Sequence, residues 1–94
     1  MEDNKDKIIH VPVEDILPNR FQPRLAFDEK ELNELAASIA KYGIIQPIVL
    51  RNIGDKYEII AGERRVKASK MVGLKEIPAI IREFTDTEMK EIAL

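Results

Sequence analysis

Ala61-Gly62-Glu63-Arg64-Arg65 sets two guanidinium groups directly after a glycine, where an apolar run gives way to helical spacing. Tyr57–Ala61 carries β-branched and aromatic residues and predicts a strand. Gly62 permits a tight turn and close backbone approach. Glu63–Val72 then fits a short helix closed by Gly73. The first turn of a helix holds N–H groups without intrahelical partners and the positive end of the helix dipole, so it favours an anion. Cations are electrostatically misplaced there, and their planar forks suit phosphate oxygens. Taken alone, the segment reads equally as a strand-to-helix turn bearing two surface arginines.

Two further segments hold chemistry-capable residues. Gly43-Ile44-Ile45-Gln46-Pro47 reads first as a helix stop and a strand start. The strand it opens is joined by a short hairpin to the strand ending at Gly62, and antiparallel pairing brings both loops to one end of the sheet. Gln46 and the adjacent main chain would then face the phosphate turn and hold a base. Asn19-Arg20-Phe21-Gln22-Pro23-Arg24 is a proline-restrained polar loop. In it, Gln22 could orient a water and Arg24 could neutralise a terminal phosphate. His10 reads as structural, and Asp28, Glu29, Glu31 and Glu34 as a helix start and a solvated face rather than a metal cluster.

The elements that must position these residues follow from the same spacing rules. Residues 1–7 are polar and predict a disordered tail. Ile8–Val13 predicts a strand with Pro12 at an edge or strand end, and Glu14–Asn19 a turn. A helix starts at Asp28, with Asp28-x-x-Glu31 as a capping box and Phe27 stapled onto Leu32. Leu32, Leu35, Ala36 and Ile39 form its apolar face, and Gly43 stops it. Pro47–Arg51 predicts a strand and Asn52–Lys56 a hairpin loop. Ile77–Arg82 predicts a last strand, placed at an edge by Pro78. Thr85-x-x-Glu88 opens a helix with Met89 and Ile92 as apolar positions; stopping at Leu94 leaves it short, as in a piece of a longer protein.

Composition narrows the class. Ninety-four residues predict one small domain, and a net charge of −2 argues against wrapping nucleic acid through phosphate neutralisation alone. The absence of cysteine excludes disulfides, thiolate zinc sites and thiol chemistry. No apolar run is long enough to span a membrane or to serve as a secretory signal, so a cytoplasmic address is expected.

The three segments, in this order, resemble the N-terminal domain of the ParB/Noc family of chromosome and plasmid partition proteins. Asn19–Arg24, Gly43–Ile48 and Ala61–Arg65 carry the resemblance, with Ile77-Pro78-Ala79-Ile80-Ile81 and Glu91–Leu94 at matching spacing. It covers roughly residues 8–94. The resemblance implies an α/β (α+β), ParB/sulfiredoxin-like fold: a small mixed sheet with flanking helices, ordered β-α-β-β-α-β-α. It also implies CTP and Mg²⁺ as cofactors. In the family, CTP and parS-type DNA together close two N-terminal domains into a sliding clamp, and slow CTP hydrolysis helps reopen it. Carried over by motif, Gly43, Ile44, Gln46 and Pro47 would meet the cytosine and ribose. Ala61, Gly62, Glu63, Arg64 and Arg65 would hold the triphosphate, with Gln22 and Arg24 in the segment for hydrolysis and gate closure.

The resemblance further implies self-association, parS-like DNA and a ParA-type ATPase as partners of the full-length protein, near the nucleoid and without a membrane. The family's third nucleotide motif, its helix-turn-helix and its dimerisation domain would all fall beyond Leu94. This fragment is therefore expected to hold part of the CTP site, to bind Mg²⁺ weakly or not at all, to lack hydrolysis and to bind no specific DNA alone. A nucleoid-occlusion paralogue and an ATP-dependent small-molecule kinase are the alternatives, along with a nucleotide-free interaction module. A sulfinic-acid reductase is excluded, because Glu63 stands where a thiolate would be required.

Overall fold

Five strands and three helices form in the computed structural model, which describes residues 7–21 and 28–92. In chain order they are β1 (Ile8–Pro12), β2 (Ile16–Leu17), α1 (Glu29–Tyr42), β3 (Ile48–Ile53), β4 (Lys56–Ala61), α2 (Glu63–Met71), β5 (Glu76–Ile81) and α3 (Asp86–Ile92). The expectations for residues 1–6, Gln22, Arg24, Phe27, Ala93 and Leu94 lie outside the described residues.

The strands make one mixed sheet in the order β1-β5-β3-β4-β2. The β3–β4 hairpin closes through Gly54-Asp55, with Gly54 at φ 62°, the conformation a two-residue turn demands of its first residue. Val11, Ile16, Ile48, Leu50, Ile59, Ile77 and Ala79 bury one cluster together with Val66 of α2. Leu32, Ala36 and Ile39 of α1 pack on Ala68 of α2 in a second. Ile44, just after α1, touches both clusters, so the Gly43–Pro47 loop is tied to the core on two sides.

Capping follows the sequence with one exception. At α3, Thr85 Oγ1 accepts from the Glu88 N–H (3.1 Å) and Glu88 Oε1 accepts from the Thr85 N–H (2.8 Å), a complete capping box. At α1, Asp28 Oδ1 accepts from the Lys30 and Glu31 N–H groups, but the Glu31 carboxylate pairs with Arg64 instead of reaching back.

The seven expected elements occur in the expected order, and an eighth, β2, stands where only a turn was expected. Ile16–Leu17 runs parallel to β4 and covers its outer edge, with Ile16 buried. A two-residue strand leaves no periodicity in the sequence, so only the partner strand reveals it.

The edge position expected for the last strand from Pro78 is incorrect, because β5 lies between β1 and β3. The Arg82 N–H donates to the Leu50 carbonyl (2.8 Å), and β3 and β5 run parallel. Stepping back two residues at a time along both strands sets position 78 opposite the Gln46 carbonyl, beyond the start of β3. Proline has no N–H to give there. Arg65 Nη1 donates to the Gln46 carbonyl instead, at 2.8 Å. The β3–β5 pairing begins at Ile48 and Ala79, so an interior proline at 78 falls before the first position paired with β3.

Gly62 sits at φ 111°, and a Cβ there would lie 2.6 Å from Ile48 Cγ2 and 2.9 Å from Ile48 Cβ. Both backbone and packing therefore require glycine. Gly62→Ala is expected to lower Tm by roughly 5–10 °C through strain and overpacking, measured by thermal unfolding. An unchanged Tm would mean that the turn relaxes away from β3.

Candidate functional site

An open cleft of about 810 Å³ lies between the end of α1, the loop after it and the start of α2. Gly43, Ile44, Ile45 and Gln46 form one wall and Gly62, Glu63, Arg64 and Arg65 another, with Leu35, Ser38 and Ile39 of α1 behind. The two loops expected to meet do meet. Pro47 and Ala61 flank this lining. The size falls within the range of about 300–1,000 Å³ common for small-molecule sites.

Gly62 precedes α2, and among the described residues no side chain caps it. The N–H groups of the first α2 turn, which have no partner within the helix, therefore open at the cleft. Gly43, at φ 77°, ends α1 with its N–H on the Ile39 carbonyl (2.8 Å) and turns the chain into the opposite wall.

Both arginines have protein partners, which accounts for cations at a helix start. Arg65 Nη1 donates to the carbonyls of Gln46 (2.8 Å) and Pro47 (3.0 Å), stapling one wall of the cleft to the other. Arg64 Nη2 pairs with Glu31 Oε1 at 3.0 Å, and both side chains are more than half exposed. An exposed pair of this kind is worth little and is easily exchanged for a stronger anion. Arg65 is thus tied to the opposite wall of the cleft, whereas Arg64 reaches an exposed carboxylate.

Glu63 is half-buried at the cleft, and its burial raises its pKa; the Asn19 main-chain N–H and the charge of Lys70 partly offset this. A carboxyl whose folded pKa is raised adds stability below its ordinary range and loses that contribution as pH rises through the raised value. Glu63→Gln is therefore expected to raise Tm at neutral pH, with the gain vanishing in acid. Equal Tm values across that range would show the carboxylate to be fully solvated.

A second polar cluster was not foreseen from the sequence. Arg51 and Glu58 are 5% and 1% exposed and face each other across the hairpin. Arg51 Nε donates to Glu58 Oε1 (2.8 Å), Nη1 to the Phe84 carbonyl (2.8 Å) and Nη2 to Asp86 Oδ1 (2.8 Å). Glu58 Oε2 accepts from the Arg20 N–H at 3.0 Å, and Arg20 Nη2 reaches Asp86 Oδ1 at 3.1 Å. The hydrogen bond from Arg51 is the main reason the Asp86 pKa is held below the usual carboxylate range. The available signal was register: Arg51 and Glu58 stand symmetrically about Gly54-Asp55, as opposite charges on paired strands do.

Compared with known families, residues 1–94 match the ParB N-terminal domain. The chain belongs to this family. Relatives of this ParB-type chain include the nucleoid occlusion proteins of Halalkalibacterium halodurans, 52% identical over 95 residues, and Bacillus subtilis, 50% identical over 93. These matches cover 100% and 97% of the chain but 34% and 33% of the relatives, so it spans about a third of their length. Among solved structures, C-terminally truncated ParB from Caulobacter crescentus complexed with CTP-γ-S superposes with a TM-score of 0.82 at 39% identity, covering 92% of this chain and 49% of that one. Sulfiredoxin from Arabidopsis thaliana gives 0.75 at 27% identity, covering 89% and 93%. The ParB/sulfiredoxin-like fold expected from the motifs is the fold observed. No helix among the described residues is long and apolar enough to cross a membrane.

Proposed function

We propose that residues 8–94 form the nucleotide-binding domain of a longer partition or nucleoid-occlusion protein, and that its cleft takes CTP. The observation that carries this reading is the convergence of Gly43–Gln46 and Gly62–Arg65 on one cleft at the open start of α2. The CTP-γ-S complex of a 39% identical ParB supports the choice of nucleotide.

The first-turn N–H groups of α2 would receive phosphate oxygens, and Arg64 would leave Glu31 to neutralise one of them. The main chain of Gly43–Gln46 and the Gln46 side chain would hold the base. Glu63 is the one carboxylate in the lining among the described residues, so Mg²⁺ would be held mainly by phosphates and water and would bind weakly to this piece. Gln22 and Arg24 are proposed for hydrolysis and gate closure in the longer protein, as are self-association, parS-type DNA and a ParA-type partner. The nucleoid occlusion proteins, at 50–52% identity, favour the occlusion branch as the more specific reading.

Calorimetric titration with the four ribonucleoside triphosphates tests the proposal, on this chain and on one extended through the following helix. CTP should bind in preference to ATP, and more tightly to the extended chain. Preference for ATP with formation of a phosphorylated product would support the kinase alternative, and no heat with any nucleotide would leave an interaction module.

A further inference from the structure

The turn Asn19–Phe21 is held from several directions. Asn19 is buried, and its Oδ1 accepts from the Phe21 N–H at 2.8 Å. The Arg20 N–H donates to the buried Glu58 carboxylate, while the Arg20 side chain extends to Asp86 at the start of α3. The guanidinium of Arg20 lies 5.2 Å from the centroid of the Phe21 ring, and Lys90 Nζ of α3 lies 5.9 Å from the same ring. Arg51 completes the connection, spanning Glu58, Asp86 and the Phe84 carbonyl. Helix α3 itself buries Met89 alone among its described residues, so polar contacts carry much of its attachment.

We propose that Arg20, seated on the buried Arg51–Glu58 pair, links the Asn19–Phe21 turn to α3, so that the two loosen or tighten together. Arg20 bridges the two parts: its main chain holds the turn on Glu58, and its side chain spans Glu58 (Nε to Oε2, 3.5 Å) and Asp86 of α3 (3.1 Å). Arg51 and Glu58 stay fixed on β3 and β4 and act as the common footing. Coupling of this kind is reciprocal, so a change at either end must be felt at the other. The turn also adjoins the cleft, because the Asn19 N–H points to Glu63. Through that contact the link deepens the nucleotide reading and rests on it, although the turn–helix coupling itself needs no nucleotide.

Amide hydrogen exchange followed by NMR on the nucleotide-free chain tests the link. Asp86→Asn, a change in α3, should speed exchange of the Arg20 and Phe21 amides roughly fivefold, the size expected for losing one half-exposed ion pair. Arg20→Gln, a change in the turn, should do the same for amides in α3. Amides of Leu50 and Ile59 should keep their rates in both variants, which separates a local link from general destabilisation. Effects confined to the mutated side, or equal acceleration throughout the sheet, would overturn the proposal. If the reciprocal effect holds but CTP leaves turn and helix exchange unchanged while binding calorimetrically, the link stands without connection to the cleft. If CTP fails to bind at all, the nucleotide reading fails and the turn–helix link survives.

Discussion

Glu58→Ala is expected to cost about 2–3 kcal/mol of unfolding free energy, because the buried Arg51 guanidinium keeps Asp86 and the Phe84 carbonyl but loses the carboxylate that faces it on β4. A domain of this size has only about 5–15 kcal/mol in total, so the variant should unfold at much lower urea. The same change frees the Arg20 N–H from its carboxylate partner, so the Asn19–Phe21 turn loosens as well. Replacing both charges, in Arg51→Met with Glu58→Leu, should cost less than Glu58→Ala alone, since no buried charge is left with part of its partners missing; the Phe84 carbonyl then lacks its donor and Asp86 keeps Arg20. Urea unfolding of the two variants measures the difference. A Glu58→Ala midpoint matching that of the parent would mean the pair is hydrated in solution rather than sealed between strands.

Arg65→Ala is expected to weaken CTP binding by roughly 1–3 kcal/mol, the range for losing a hydrogen bond made by a charged group. The loss acts through the protein. Without Nη1, the carbonyls of Gln46 and Pro47 lose their donor, and the loop that would face the base is no longer held against α2. Position 78 cannot supply the missing bond, because it is proline. Stability should fall in the same variant, whereas Arg64→Ala should reduce affinity with little change in Tm, its partner Glu31 being exposed. CTP affinity unchanged in a folded Arg65→Ala chain would remove the proposed role of this wall.

Much of the cleft was legible in the residues. Glycines at 43 and 62, helical spacing before the first and after the second, and a short hairpin between the two strands were enough to bring Gly43–Gln46 beside Gly62–Arg65. These are local rules, in which neighbours in sequence fix the conformation and antiparallel pairing fixes which ends meet. Pairing partners are different in kind. That Pro78 lies inside the sheet depends on β1, whose His10 pairs with it from sixty-eight positions upstream. The partners of the arginines were likewise hidden: Glu31 is thirty-three positions from Arg64, and Asp86 is thirty-five from Arg51. Residue type and spacing determined the family, every element but β2, and the position of the cleft. Only the tertiary structure decided which acceptors each arginine meets, Glu31 for Arg64 and the Gln46 and Pro47 carbonyls for Arg65, because a guanidinium is satisfied by whatever acceptor the fold brings near, and chain distance says nothing about that.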